Sequence, residues 1–241
     1  MSARGKAAPA GNEDGFGELD GHLFAEGTHR RLWEVLGARI CTRDGDPGVR
    51  FAVWAPNARR VGVVGDFCEW DGRRHPLKRV PGTGVFEGFV PGLKEGELYK
   101  FEIETAAGQL RLKSDPFAFS LERSPDTASR VFSSRHTWRD SRWLAERAGR
   151  DPRTEPLSAY EVHLGSWRRA PDGGPLDYDT LAERLIDHAL HFGFTHLELM
   201  PVMEHPFDGS WGYQVSGYFA PTARHGDPDG LRRFIDRCHA A

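Results

Sequence analysis

Three things are scarce in this 241-residue sequence: long apolar runs, cysteine and net charge. No apolar stretch approaches the roughly 20 residues that a membrane-spanning helix needs. The start lacks the charged-then-apolar pattern of a secretory signal, so membrane and export are set aside and a cytoplasmic location is expected. The cysteines are three, Cys41, Cys68 and Cys238. They are odd in number and scattered, which excludes a disulfide framework and leaves free thiols. The formal charge of −3 supplies no positive field for a phosphate backbone, and nucleic acid is excluded as the main partner. Eleven histidines raise the question of a metal, yet none falls in a His-Glu-x-x-His pair, and His22 and His29 stand without further ligands. The expected number of metal ions and cofactors is none.

What remains is an ordinary globular composition, 39% apolar and 28% charged, with room for more than one domain. Residues 1–20 begin with an Ala, Gly and Pro-rich stretch without apolar period and read as a disordered leader. From His22 to Leu36, apolar positions interrupted by Gly27-Thr28 predict a loop and then a short helix or turn docked on a neighbour. From Gly48 the pattern becomes one of short strands: Val49–Trp54, Arg60–Gly65, Val85–Val90, Leu98–Ile103 and Gln109–Leu112. Turn clusters such as Asp71-Gly72, Pro81-Gly82 and Ala107-Gly108 separate them at the spacing of an all-β sandwich. This domain is assigned to residues 21–120. Residues 121–155 read as a linker with a helix over Trp138–Ala148, and the Asp151-Pro152 and Glu155-Pro156 steps suit a boundary.

Residues 156–241 follow a different pattern. A compact strand at Ser158–Leu164 precedes a helix over Tyr178–Phe192, whose Leu181, Leu185, Ala189 and Phe192 share a face. A second strand, Thr195–Met200, and a second helix, Pro228–Ala240, complete a strand-helix-strand-helix order, which implies a parallel sheet with crossover connections. A closed barrel takes eight such units. The last helix ends in mid-pattern at Ala240-Ala241, so the chain is expected to be cut before a third strand.

The loop from Pro201 to Gly226 concentrates Glu204, His205, Phe207, Asp208, Trp211, Tyr213, Gln214 and Tyr218 behind the C-terminal end of a parallel strand. Barrel active sites are built at that end. Aromatic faces suit the C–H surfaces of sugars and planar polar groups suit their hydroxyls, although any one of these aromatics serves equally well to pack a long loop. Glu198 reads as a paired carboxylate on the inward side of its strand; neither it nor Glu161 nor Asp208 is assigned as a nucleophile. His163, at the end of the first strand, reads as a hydrogen-bonded structural residue.

At these residues the sequence resembles the alpha-amylase superfamily of glycoside hydrolases, and within it the 1,4-alpha-glucan branching enzymes. The resemblance runs through Gly21–Phe24 with Glu26–His29, Val49–Asn57 (VRFAVWAPN), Val63–Gly72 (VVGDFCEWDG), Ser114–Phe117, Tyr160–Arg168 (YEVHLGSWR), Phe194–Pro206 (FTHLELMPVMEHP) and Ser210–Pro221 (SWGYQVSGYFAP). It implies a multi-domain chain: an immunoglobulin-like β-sandwich of the carbohydrate-binding-module type, followed by the first two βα units of a (β/α)8 TIM barrel. The implied activity is a glycosyltransferase that cuts an alpha-1,4 linkage and transfers the chain to a 6-hydroxyl, forming alpha-1,6 branches in glycogen. The implied mechanism is retaining, with a carboxylate nucleophile and a carboxylic acid/base. The family carries its catalytic carboxylates on later strands, so this chain is expected to hold no catalytic residue and to be inactive alone.

The tyrosine of the family's Trp-Gly-Tyr-Gln motif falls on Tyr213, which is expected to stack on glucose at the cleavage site. Trp211, Gln214, Glu204, His205 and Asp208 are expected to line or shape that pocket. In the sandwich, Trp70 in its turn is the preferred glucan contact over Trp54. Cys68 stands where the family has Asn in its Gly-Asp-Phe-Asn turn, and a thiol is a poor partner for a hydroxyl, which weighs for a barrel-supporting sandwich. The implied partner is alpha-glucan, and the full-length form is expected to be a monomer. A debranching or trehalose-releasing hydrolase is the competing enzyme, and a non-catalytic glucan-binding protein the competing class; His163–Arg168 favours branching.

Overall fold

The computed structural model describes residues 15–241, so the N-terminal part of the expected leader lies outside the described residues. The chain divides into two compact units. One takes the described residues through Ser133 together with Gly217–Ala220; the other takes Ser134–Ser216 and Pro221–Ala241.

The first unit opens with helix α1 (Glu18–Ala25), a short α2 (Leu32–Val35) and eight strands: β1 (Gly37–Arg43), β2 (Asp46–Trp54), β3 (Ala58–Val64), β4 (Lys78–Arg79), β5 (Val85–Pro91), β6 (Leu98–Thr105), β7 (Leu110–Lys113) and β8 (Ser129–Arg130). They form two antiparallel sheets, β1-β2-β5-β4 and β3-β6-β7, with β8 also on β6. Alternation along β2 explains the core. Val49, Phe51 and Val53 point between the sheets to meet Val61, Val63, Tyr99 and Phe101. The opposite face of β2 presents Ala52 to a smaller cluster of Phe16, Val35, Leu36 and Val85.

Several expectations are corrected here. Residues 15–20 of the expected leader carry structure: Phe16 is buried and its N–H donates to Glu87, and Glu18 starts α1. The sandwich unit also runs beyond residue 120, because β8 pairs with β6 and Val131 joins the core. The residues expected as a linker therefore divide, 121–133 with the sandwich and 134–155 with the second unit.

The second unit holds α3 (Ser141–Ala148), β9 (Ala159–Val162), the single-turn α4 (Leu164–Trp167), α5 (Tyr178–Phe192), β10 (His196–Leu199), the two-residue β11 (Met203–Glu204) and α6 (Pro228–Ala240); β12 (Gly217–Pro221) straddles the division. β9 and β10 are parallel with α5 as their crossover. Asp177 and Asp227 cap α5 and α6, accepting the N–H of Thr180 and of Gly230, each at 2.7 Å. The αL residue Gly193 (φ 75°) ends α5. Leu181, Leu185 and Phe234 seal the helices onto Val162 and Leu164. The helix expected from Trp138 begins only at Ser141. Residues before it are held against α6 instead, where Ser134 Oγ donates to Asp229 at 2.6 Å, the Arg139 N–H to Asp236 at 3.0 Å, and His239 Nδ1 to Asp140 at 2.9 Å. Phe192, expected on the apolar face of α5, is exposed, because it lies at the last turn where the helix leaves the core. Glu198 is exposed as well, in register with exposed Glu161, so it is no interior carboxylate in this chain.

Candidate glucan-facing loop

Residues 201–226 leave β10, and their ends are closed by a buried carboxylate. Glu204 sits at 3% exposure and accepts from the Ala223 N–H (2.6 Å), the Arg224 guanidinium (2.7 Å), the His205 N–H (3.0 Å) and Thr222 Oγ1 (3.3 Å). A buried carboxylate is tolerable only with such a full set of donors. The outgoing end is fixed again by Thr222 N–H on the Val202 carbonyl (2.8 Å) and by Tyr178, whose hydroxyl donates to the Thr222 carbonyl (2.9 Å). Burial, and then the Glu204 charge, push the Tyr178 phenol well above its ordinary value, so it stays a donor. His225 Nδ1 donates to the Leu176 carbonyl at 2.7 Å.

Between these anchors the chain makes a tight turn over 208–210. Trp211 is in the left-handed region (φ 53°), where a bulky residue is uncommon. Gly212 follows at φ 86°, pressed so closely on Pro201 that a Cβ would strike the Pro201 carbonyl. The Tyr213 N–H donates back to the Ser210 carbonyl at 3.0 Å. This local geometry turns the aromatic side chains outward: Trp211 is 54% and Tyr213 66% exposed, and Gln214 is exposed beside them. The Trp211 ring stacks on the His163 imidazole with centroids 5.8 Å apart. Burial and the neighbouring His205 push His163 below its ordinary value, with Asp208 pulling the other way. His163 Nδ1 lies 2.8 Å from Ser166 Oγ, a structural hydrogen bond.

The residues named from the sequence thus separate into two groups. Trp211, Tyr213, Gln214 and Asp208 present surface. Glu204 and His205 are buried and shape the loop from within, His205 through Nδ1 on the Met203 carbonyl at 2.9 Å. Sequence reasoning missed Arg224, which bonds to Glu204, Asp208 and the His205 carbonyl. A lone arginine in a loop carries no local signal; its partners lie 16 and 20 residues away.

The two sandwich tryptophans differ in exposure. Trp54 is 53% exposed at the end of β2, on the face opposite Phe51 and Val53, while Trp70 is half-buried with its indole N–H on Asp66 at 2.8 Å. Cys68 is buried with its thiol directed at the Gly65 carbonyl (3.4 Å), so the thiol faces the protein interior. Among the described residues no group of three or more His, Cys, Asp or Glu side chains is placed to hold a metal ion, and no helix is long and apolar enough to cross a membrane.

Comparison with known proteins bears on both units. The carbohydrate-binding module 48 family, the isoamylase N-terminal domain, matches residues 35–118. The 1,4-alpha-glucan branching enzyme GlgB of Pseudomonas aeruginosa is 58% identical over 226 residues, covering 93% of this chain and 31% of that enzyme. Its counterpart in Rhodococcus jostii is 55% identical over 229 residues, with the same coverage of 93% and 31%. A crystal structure assigned as an alpha amylase from Salmonella typhimurium aligns with TM-score 0.64 and 26% identity, over 85% of this chain and 31% of that one. The chain spans about 31% of the length of the curated relatives it matches. Over 93% of its length this chain is similar to the 1,4-alpha-glucan branching enzymes, and its residues 35–118 match the carbohydrate-binding module 48 family.

Proposed function

We propose that the protein is a 1,4-alpha-glucan branching enzyme, a hexosyltransferase that cuts an alpha-1,4 linkage and passes the freed chain to a 6-hydroxyl. In this reading the sandwich is of the immunoglobulin-like type, and β9-α5-β10-α6 are the first two units of a (β/α)8 barrel. The observation that carries the reading is the outward-facing Trp211–Tyr213–Gln214 platform behind the C-terminal end of β10, where barrel enzymes build their sites. Tyr213 stacks on glucose at the cleavage point, and Trp211, Gln214 and Asp208 line the same wall. Glu204 and His205 hold that wall in shape. The catalytic carboxylates come from outside these residues. In the sandwich, Trp54 takes precedence over Trp70 as a glucan contact. The protein works in the cytoplasm as a monomer, on glycogen or amylose, without metal or organic cofactor.

Incubating the complete protein with amylose and measuring alpha-1,6 linkages and reducing ends side by side tests this. Branch points are expected to accumulate. Reducing ends rising without new branches would assign hydrolysis instead.

A further inference from the structure

We infer that Arg224 is a positioning residue for the glucan-facing wall, acting through Asp208 on the turn that carries Trp211 and Tyr213; the inference rests on the functional reading above. The Arg224 side chain is 11% exposed and works at both ends of the loop. Nη1 donates to Glu204 Oε1 (2.7 Å), the His205 carbonyl (2.9 Å) and Thr222 Oγ1 (3.1 Å). Nε and Nη2 reach Asp208 Oδ1 at 2.7 and 2.5 Å. One planar group therefore ties the start of the loop, its middle and its end.

The two sides of this fork differ in kind. The Glu204 carboxylate is 4% exposed, and removing its cation would strand a buried charge. The Asp208 side chain is 81% exposed, and an ion pair at such a surface adds little to stability. Its effect is geometric. Asp208 opens the 208–210 turn; its own carbonyl accepts the Trp211 N–H at 3.0 Å, and the Ser210 carbonyl accepts the Tyr213 N–H at 3.0 Å. Trp211 sits at a backbone conformation that an aromatic residue rarely adopts unaided. Arg224 supplies a tether one turn upstream of it from a rigid, buried base. Lysine at 224 would be a point charge, unable to span both carboxylates and the carbonyl.

Asp208→Asn in the complete protein separates positioning from folding. The protein is labelled with 5-fluorotryptophan, the Trp211 resonance is assigned by its loss in Trp211→Phe, and spectra are taken without glucan. The expected result is an unchanged melting temperature, a displaced or broadened Trp211 resonance, and a KM for amylose raised roughly 10-fold with a smaller change in kcat. Arg224→Lys should show the same displaced resonance. An unmoved Trp211 resonance in Asp208→Asn overturns the inference; if KM still rises, Asp208 meets the sugar directly. Wild-type protein that forms no alpha-1,6 linkages would overturn the functional reading alone, since the glucan-free spectra still decide whether Arg224 and Asp208 set the turn.

Discussion

In the sandwich unit, Val49, Phe51, Val61, Val63 and Phe101 are fully enclosed, whereas on the strands β9 and β10 of the second unit Val162 alone is buried, Tyr160, Leu197 and Leu199 are half-buried and Glu161 and Glu198 lie open. The difference follows from what covers each sheet. Two antiparallel sheets cover each other and need one apolar face apiece. The parallel pair β9-β10 is covered by α5 and α6, and the side chains sealed best there belong to helices: Leu181 and Leu185 at 0% and Phe234 at 1%. Stability therefore resides in the strands of the first unit and in the helix faces of the second.

Core truncations give the sharpest contrast. Phe51→Ala should cost about 3–5 kcal/mol and Leu185→Ala about 2–5 kcal/mol, since each leaves a cavity in a sealed site. Denaturant unfolding followed separately in the two units should show each loss in its own unit; a loss of Leu199→Ala equal to that of Leu185→Ala would break the contrast.

Acid should next distinguish the buried Asp115 of the first unit from the ion-paired Asp179 of the second. Burial pushes the Asp115 carboxyl above its ordinary value of 3.8, against the hydrogen bonds from Tyr99 (2.5 Å) and the Phe117 N–H (2.8 Å). A carboxyl raised in the folded state adds stability below its unfolded value and loses it as pH rises through the folded value. Asp115→Asn should thus cost about 1–3 kcal/mol at acid pH, a gap that narrows as pH rises above 3.8. At Asp179, in the second unit, the sign is opposite. Hydrogen bonding to Arg233 holds Asp179 below its ordinary value, so that pair stabilises above the carboxylate range and is lost as pH falls. Melting curves from pH 3 to about 7 for wild type and Asp115→Asn check the direction; a gap that widens with pH would contradict it. The smallest effect belongs to the open surface. Leu190→Ser, at a residue 58% exposed, should change stability by no more than about 0.5 kcal/mol in denaturant unfolding.

The legibility of the sequence tracks the same division. α5 and α6 were readable to the residue because each combines an Asp cap with an apolar stripe on a period near 3.6. The sheets were readable where alternation is strong, as in β2 and β6. β1 was not, since GARICTR has weak alternation and gains its place by register on β2, Gly37 to Ala52 through Arg43 to Asp46. α1 was missed for a related reason: tertiary contact of Phe16 and Phe24 with the sandwich and the Asp20 carboxylate on the Gly17 N–H organise it, and neither leaves a periodic apolar signal. At the candidate site, the exposed aromatics were visible as residue types. The Glu204–Arg224–Asp208 brace was not, because it depends on distances that no local pattern encodes.

The reading of the loop as a glucan wall is tested most directly by Tyr213→Ala in the complete protein, with turnover on amylose measured beside the melting temperature. Tyr213 is 66% exposed, so the fold should be unaffected. Turnover is expected to fall by roughly 10-fold or more through lost ring positioning in the transition state. Unchanged turnover at an unchanged melting temperature would contradict the account.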